Sequence, residues 1–437
     1  MIFIGSREVP VKDQAEPSHG LIDMSDERLK VSVREEARRW IQSHWNPTLE
    51  LSAWRRQLHA AGWACPTWPP EWSGRGLPAW ADDLVKDELT AAGAVGTPLG
   101  SGMLLAAPTI LAHGSTAMKH RLLPRIVTGA DTWCQLFSEP GSGSDLAGLT
   151  TTAVQDGEVF VVNGQKVWST SAHHADLGML LARTDWDAPK HKGISWMVLP
   201  MQQQGVEARP LRQMNGYASF NEVFLSDAVV PVANVVGQLG EGWGIALTTL
   251  AHERGFGSVR RNAFKSEGRA IEEAKAEAEE YFATYSWYPQ RAGRVDLIAE
   301  HARVNGRNGD PVSRQAIAGV AALHRAHQWT ADRARLNREL GRPPGAEGSI
   351  GKLGLSEVAR AAAGTHTLIA GPAGMLVGPD APFDGMIAEV LESVPAQSIA
   401  GGTDEIQRNI TAERVLGLPK ESRVGSTVSF RDETKAR

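Results

Sequence analysis

The sequence predicts an α+β fold in which a helical domain is followed by a β domain and then by a second helical domain. Apolar residues recur at helical spacing in the first and last thirds, whereas the middle third carries short β-rich runs separated by turn dipeptides. These changes of period place the three domains at 1–132, 133–241 and 242–437, with a polar tail after about residue 419. A tail of this composition is expected to be poorly ordered.

Helices are expected throughout the first third. Helical spacing among charged residues is seen at Val33, Ala37, Trp40 and Ile41, and residues 81–94 show the same pattern. Residues 66–78 between them are rich in proline and glycine, which favours a loop. Residues 98–130 are apolar with many small side chains, and we interpret them as buried helices.

A small antiparallel sheet or barrel is expected in the middle third. Asp156-Gly157 and Asn163-Gly164 are strong hairpin signals because both dipeptides suit tight turns between strands. The predicted strands cover residues 151–154, 159–162, 166–168, 179–182, 194–199 and 222–225. In the final third, the predicted helices cover residues 243–254, 265–282, 314–335, 350–369 and 403–416.

Composition excludes several classes of protein. The 437 residues are 42% hydrophobic and carry a net charge of −5, which gives no sign of nucleic-acid binding. Two cysteines are too few for a disulfide framework or a cysteine-rich metal site, so no metal is expected. No run reaches the roughly 18 apolar residues of a membrane span, and the N-terminal apolar run is too short for a signal peptide. We therefore expect a soluble, cytoplasmic protein.

A Gly/Ser-rich loop over residues 138–145 follows an apolar run and is the most informative local feature. Its small residues allow backbone N–H groups to approach a flat or anionic ligand, and its serines add hydroxyl groups. A solvated surface turn has the same composition, so the loop alone does not decide between the two.

Trp168, Ser169 and Thr170 end a predicted strand just after the second turn dipeptide. An indole beside two hydroxyls suits a flat heteroaromatic ring, because the indole packs on the ring and the hydroxyls bond its polar edge. The alternative is a core tryptophan followed by two turn residues.

Glu253 is the carboxylate of greatest interest. On its predicted helix an apolar stripe includes Trp243, Ala246, Leu247 and Leu250, and positions 253 and 254 continue it. An inward-facing carboxylate has its pKa raised by apolar surroundings, towards the range useful to a general base. The alternative is a charge pair at the surface end of a helix.

Residues 399–408 form the third candidate motif. Paired glycines precede Thr403, and Asp404 and Glu405 fall in the first helical turn, where acidic residues are favoured. Ile406 and Ile410 are expected to begin a buried face. Free N–H groups at this helix start suit an anionic or carbonyl oxygen, although a tight turn into a core helix has the same pattern.

Together these motifs resemble the acyl-CoA dehydrogenases. The matching runs are Ser-Glu-Pro-Gly-Ser-Gly-Ser-Asp-Leu-Ala-Gly (138–148), Asn-Gly-Gln-Lys-Val-Trp-Ser-Thr (163–170) and Gly-Gly-Thr-Asp-Glu-Ile-Gln-Arg-Asn-Ile (401–410). The resemblance implies a C-terminal domain of the four-helix-bundle type. It also implies FAD, held between the β domain and the C-terminal helices with a second subunit completing the site.

The resemblance assigns roles residue by residue. The implied flavin contacts are Phe137, Ser138, Trp168, Ser169, Thr170, Thr403 and Glu405. The implied substrate contacts are Ser144, Arg254 and Gly402. The implied reaction is α,β-dehydrogenation of an acyl-CoA, after which an electron-transfer flavoprotein receives the electrons.

The expected base departs from the commonest family pattern. Many members carry the catalytic glutamate at the position of Gly401, and glycine cannot accept a proton. A minority place the base on the helix that opens the C-terminal domain, directly before an arginine, and Glu253 before Arg254 matches that position. The inward stripe and the resemblance therefore both favour Glu253 as the base.

The flavin-diphosphate region departs as well. The family's Arg-x-x-Phe-Gly segment is replaced by residues 306–314, and its paired glycines by 371–374. These changes resemble bacterial members that act on bulky or sterol-derived acyl-CoAs, some of them heterotetramers of two related chains. A homo-oligomer (dimer or tetramer) and a heterotetramer therefore stay open, as do a non-catalytic subunit and a flavin oxidase or monooxygenase of the same fold.

Overall fold

Helices form the first third of the described chain, because apolar residues repeat every three to four positions there. The computed structural model describes residues 24–253, 264, 267–340, 342, 345–420 and 428–435. The first helices are α1 (Met24–His44), α2 (Leu51–Ala60), α3 (Trp80–Ala91), α4 (Ala107–His113) and α5 (Thr116–Thr128). Val33, Ala37 and Ile41 of α1 are buried in one core with Trp54 of α2, and this packing stabilises the domain mainly through the apolar area removed from water.

Eight strands in the described part of the chain form one sheet. They are β1 (Trp133–Leu136), β2 (Thr152–Asp156), β3 (Val159–Lys166), β4 (Leu177–Arg183), β5 (Ile194–Pro200), β6 (Val206–Leu211), β7 (Phe220–Pro231) and β8 (Val235–Val236). The strand order is β6-β7-β3-β2-β4-β5-β8, and β1 pairs with β4. Most pairs are antiparallel, as predicted, but β4 runs parallel to both β1 and β2. The two faces of the sheet bury separate apolar cores, one of them shared with α4, α5 and the helix at 242–253.

The two turn dipeptides behave differently. Asp156 pairs with Val159 across a tight turn in which Gly157 has a φ of 57°, so the first predicted hairpin is confirmed. The second is wrong, because β3 continues through Asn163 and Gly164 and shows only a register shift against β7. The reason is tertiary, since a Cβ at Gly164 would lie 2.4 Å from Thr151 Oγ1. Glycine is needed here for close strand contact, as at a β-bulge.

Helices return after the sheet. They are α6 (Gly242–Glu253), α7 (Arg269–Thr284), α8 (Tyr288–Arg291), α9 (Ile298–Val304), α10 (Pro311–Glu339), α11 (Glu347–Ala370), α12 (Met386–Ser393), α13 (Pro395–Ile399) and α14 (Asp404–Arg414). The α, β, α order of the fold is therefore confirmed. Apolar residues of α7 join the core of the first helices rather than the core around α9 and α11. Among the described residues, no helix has the length and apolar character needed to cross a membrane.

The tail prediction is wrong for residues 428–435. A short helix, α15 (Phe430–Lys435), packs against the middle domain, where Phe430 is buried. The Arg183 guanidinium lies 3.5 Å from the centre of the Phe430 ring, and the Phe430 N–H donates to the carbonyl of Ala188. One aromatic anchor and a cation–π contact thus hold a segment whose composition is otherwise polar.

Candidate active site

The Gly/Ser loop is held in place by a buried ion pair that sequence reasoning missed. Lys166 Nζ, fully buried, donates to Glu139 Oε1 at 2.8 Å and to the carbonyl of Phe137 at 3.1 Å. Glu139 also accepts the backbone N–H groups of Thr150 and Thr151. Burial alone would raise the pKa of Glu139, but Lys166 and these donors lower it to about 2. The ion pair joins both ends of the loop to β3. The feature of the sequence that could have predicted this pair is a lysine within an apolar strand.

The loop itself turns sharply and faces solvent. Glu139 and Ser142 exchange two backbone hydrogen bonds, which closes a tight turn. Ser142 is buried, whereas Ser144 is exposed. Cβ atoms at Gly141 and Gly143 would meet nothing within 4 Å, so the glycines leave open space rather than avoid a clash. Ser144, a predicted substrate contact, thus lies on the accessible side of the loop.

Trp168 is not a core tryptophan. Its side chain is 56% exposed and its φ is 62°, a left-handed conformation that is uncommon for an aromatic residue. The next residue, Ser169, is fully buried, and its Oγ has no hydrogen-bond partner among the described residues. An exposed ring on a strained backbone beside an unsatisfied hydroxyl is the arrangement expected of a ligand site.

These groups fit a flavin. Trp168 and Phe137 offer a ring face and an apolar edge, and the Ser169 hydroxyl needs a partner that a flavin oxygen or nitrogen supplies. Thr170 is half-buried and hydrogen-bonds with Tyr285, whose ring comes from the C-terminal side of the chain. The residues present are therefore compatible with FAD, and Thr170 connects the sheet to the helices beyond it.

Glu253 ends α6, and the buried stripe of that helix differs from the predicted one. The buried positions are Gly242, Ile245, Ala246 and Thr249. Leu247, expected to point inward, is 46% exposed, so that part of the prediction is wrong. The stripe nevertheless continues to Glu253, which is four residues beyond Thr249 and half-buried. Arg254, the predicted substrate contact beside it, lies outside the described residues.

The C-terminal motif lies against Glu253. A Cβ at Gly401 would lie 4.0 Å from Oε1 of Glu253, and Gly401 has a φ of 68°. Gly402 also has a positive φ, and the Thr403 hydroxyl caps α14 by accepting the Ile406 N–H at 3.3 Å. The left-handed pair lets the chain turn directly into the helix start, which glycine allows without steric cost.

The first turn of α14 separates its two acidic residues. Asp404 is buried and accepts hydrogen bonds from Lys352 at 2.8 Å and from Arg360 at 2.7 Å. Burial alone would raise the pKa of Asp404, but these bonds hold that pKa well below its usual range. Glu405 is exposed and pairs only loosely with Arg408 at 3.4 Å. Ile406 is half-buried, as is Ile410, so the predicted buried face is instead formed by Asp404 and Gln407. Asp404 therefore anchors the motif, and Glu405 is left accessible to a ligand or a second subunit.

A second feature missed by the sequence analysis is a group of residues whose pKa values the charge of Glu253 affects. Tyr285, Tyr288 and Arg291 have pKa values set mainly by burial, and each also responds to the charge of Glu253. The signal in the sequence is a concentration of aromatic residues over 281–288. The structure thus brings together the Gly401 turn, the carboxylate of Glu253 and, through Tyr285, Thr170 beside Trp168.

Comparison with known proteins shows the family to which the chain belongs. Three family descriptions match in order: the N-terminal domain of acyl-CoA dehydrogenase over residues 21–130, its middle domain over 134–228 and its C-terminal domain over 290–416. Acyl-CoA dehydrogenase IpdE1 of Mycobacterium tuberculosis is 36% identical over 380 residues, which are 86% of this chain and 89% of that protein.

Solved structures show the same architecture. The ChsE4–ChsE5 complex from Mycobacterium tuberculosis is 28% identical with a TM-score of 0.61, covering 93% of this chain and all of the matched chain. The Tcur3481–Tcur3483 steroid acyl-CoA dehydrogenase is 26% identical with a TM-score of 0.62, covering 94% of this chain and all of the matched one. The chain therefore belongs to the acyl-CoA dehydrogenases, FAD-dependent oxidoreductases that act on acyl-CoA.

Proposed function

We propose that the chain dehydrogenates an acyl-CoA thioester between its α and β carbons, with Glu253 as the base that removes the α-proton. The observation that carries this proposal is the approach of Glu253 Oε1 to within 4.0 Å of a Cβ built at Gly401. In the commoner family pattern the base is attached at that position. The carboxylate from α6 thus lies beside the space where a glutamate side chain at 401 would begin, and glycine leaves that space open.

Each proposed residue has a distinct task. The carboxylate of Glu253 takes the α-proton and becomes a neutral acid. FAD, when bound, supplies the acceptor for the β-hydride at its N5 atom. Trp168 and Phe137 pack against the flavin ring, while the hydroxyls of Ser169 and Thr170 bond its polar edge. Ser138, Thr403 and Glu405 complete the proposed flavin contacts.

The substrate side uses a second set of residues. Ser144 on the exposed loop, Gly402 beside the base and Arg254 next to Glu253 are proposed to contact the acyl-CoA. Negative charge that develops on the thioester oxygen requires hydrogen-bond donors directed at it. A positively charged side chain such as Arg254 suits the CoA phosphates.

A bulky, sterol-derived acyl group is the substrate class that we propose. Support comes from the similar steroid acyl-CoA dehydrogenase, which, like the ChsE4–ChsE5 complex, is named for two chains. Apolar side chains stay exposed on the C-terminal helices and their connections, at Leu368, Met375, Leu376, Val377, Leu391 and Ile399. We propose that a related chain or a second copy covers them, and that an electron-transfer flavoprotein reoxidises the enzyme.

Anaerobic titration of the purified protein with a panel of acyl-CoAs tests the function. Bleaching of the flavin absorbance by bulky acyl-CoAs, followed by reoxidation with electron-transfer flavoprotein, is the expected result. Glu253→Gln should retain FAD but reduce the rate of bleaching by about 10²- to 10⁴-fold, the usual contribution of a general base. Glu300→Gln, an exposed carboxylate on α9, is the matched control. Full activity in Glu253→Gln would remove this residue from its proposed role.

A further inference from the structure

A column of three aromatic rings ends at Trp168. The rings of Trp168 and Phe220 are nearly perpendicular, and their centres are 5.6 Å apart. The ring of Phe220 also meets the ring of Trp287 edge to face, with 6.1 Å between the two centres. Trp287 is fully buried, whereas more than half of the Trp168 side chain is exposed. The column therefore runs from a buried ring to an accessible one, through contacts of a favourable geometry.

Hydrogen bonds fix the backbone beside Trp168. Ser169 and Asn221 exchange two backbone bonds: the Ser169 N–H donates at 3.1 Å, and the Asn221 N–H donates at 3.0 Å. The Asn221 Nδ2 group donates to the same Ser169 carbonyl at 2.9 Å. Asn221 directly follows Phe220 on β7, so one strand holds both the strained backbone and the ring at this position. A left-handed conformation of this kind persists only where its surroundings fix it.

The buried end of the column is attached to the C-terminal helices. Trp287 Nε1 donates to Oγ of Ser219, the residue before β7, at 3.1 Å. Trp287 itself directly precedes α8, which packs against α12 and α13. At the other end of α8, Nε of Arg291 donates to Oε1 of Gln397 on α13 at 2.9 Å. Since Gln397 lies four residues before Gly401, contacts through α8 connect the strand end at Trp168 with the C-terminal motif.

We infer that Phe220 and Trp287 are positioning residues for Trp168: they hold the indole in the orientation that packs against the flavin ring, and they link that orientation to the C-terminal helices. Among the described residues, Phe220 is the aromatic side chain whose ring contacts Trp168. Without this neighbour, the exposed indole populates other rotamers, and FAD has to select one of them, which weakens binding. This inference rests on the proposed packing of Trp168 against the flavin.

FAD binding to the apoprotein and the fluorescence of the bound flavin test this inference. A tryptophan stacked on a flavin quenches its fluorescence, so a brighter bound flavin reports the loss of that packing. Phe220→Leu and Trp287→Leu should each weaken FAD binding about 2- to 10-fold, the range that one aromatic pair contributes. Both variants should also raise the fluorescence of the bound flavin. Trp168→Ala should change both quantities in the same direction and by more.

A double-mutant cycle and a matched control separate positioning from a general loss of structure. In the Trp168→Ala background, Phe220→Leu should change FAD affinity by less than about twofold, because the ring that it positions is gone. Trp54→Leu is the control, since Trp54 is also fully buried and its Nε1 donates to the carbonyl of Val95, but it lies in the core of the first helices. This variant should lose stability and leave the fluorescence of the bound flavin unchanged.

The buried tryptophan needs a second variant, because its removal leaves a cavity. If Trp287→Leu does not fold, Trp287→Phe decides in its place: it keeps a ring but removes the bond to Ser219, and it should give a smaller change of the same sign. Wild-type FAD affinity and fluorescence in Phe220→Leu, or in the Trp287 variant that decides, would overturn the inference. Equal losses of affinity from Phe220→Leu with and without Trp168 would overturn it as well.

Failure of the inference can be told apart from failure of the proposed function. Unchanged FAD affinity and flavin fluorescence in Trp168→Ala would refute the proposed flavin contact, and the inference with it. A clear change in Trp168→Ala together with wild-type values in Phe220→Leu would leave that contact in place and refute only the positioning role. The proposed base is tested separately by flavin reduction in Glu253→Gln, which none of these binding measurements uses.

Discussion

Replacing Lys166 with methionine should destabilise the protein and loosen the Gly/Ser loop. Methionine fills much of the same volume but leaves Glu139, whose side chain is only 6% exposed, without its cation. The pKa of Glu139 falls from 4.5 to about 2 because Lys166 and its other donors outweigh burial, and a shift of that size corresponds to about 3 kcal/mol. Burial lowers the pKa of Lys166, which offsets part of this gain in the intact pair. Removing Lys166 leaves the carboxylate of Glu139 buried without its partner, which lowers the free energy of unfolding by about 3–5 kcal/mol.

The same pair predicts a pH dependence of known sign. A carboxyl whose pKa is lowered on folding contributes stability that is fully present above its unfolded pKa and is lost as the pH falls through its folded pKa. The contribution of Glu139 should therefore be complete above pH 4.5 and disappear towards pH 2. In Lys166→Met the folded pKa of Glu139 rises towards or above its unfolded value, so the loss of stability between pH 4.5 and pH 2 should shrink or reverse in sign.

Urea unfolding at pH 7, together with FAD titration of the apoprotein, measures both consequences. Lys166→Met should unfold with a free energy lower by about 3 kcal/mol or more. It should also bind FAD more weakly, because Lys166 holds the carbonyl of Phe137, the proposed flavin contact directly before the loop. Lys190→Met is the control: it breaks ion pairs with the exposed Asp145 and with Glu433 and should cost less than about 1 kcal/mol. Equal stability and FAD affinity in the wild type and Lys166→Met would refute the reasoning.

Three further predictions follow from other residues. Phe430→Ala should detach residues 428–435 and change global stability little, because the entropy cost of ordering this segment offsets most of the stability that one buried ring contributes. Amide hydrogen exchange in residues 428–435 should become fast. Retained protection of these amides would contradict the prediction. Gly401→Val should place side-chain atoms against Glu253 and abolish most flavin reduction, and wild-type rates would argue against their contact. Burial and the neighbouring His366 lower the pKa of His301 to about 4. The free energy of unfolding should therefore fall by about 3 kcal/mol from pH 6.5 to 4. In His301→Gln the urea midpoint should fall less over the same range.

Local sequence signals predicted much of the fold and part of the site. The order of helices, sheet and helices follows from a change of hydrophobic period, which is a property of neighbouring residues. The hairpin at Gly157 needed only a residue that accepts a positive φ. The helical pattern of α6 predicted that Glu253 faces the interior. The observed buried stripe lies one residue earlier than the predicted one, which leaves Leu247 exposed.

Tertiary structure alone decided the features that depend on distant partners. Gly164 lies within a strand rather than in a turn because Thr151 packs against it. Phe430 is buried because Arg183, far away in the chain, offers its guanidinium face. Lys166 is separated from Glu139 by 27 residues. Periodicity and turn propensity report only on residues close in sequence, so they cannot specify such pairings.

The surroundings of Glu253 illustrate the same division. The carboxylate, the glycine at 401 and the aromatic run that ends at Tyr288 are all visible in the amino-acid sequence. Bringing Glu253 next to Gly401 required α6 to reach the α13–α14 turn, and α8 packs against α13, where Gln397 orients Arg291. Burial and the charge of neighbours set the proton affinity of a carboxylate, and both are properties of the folded chain.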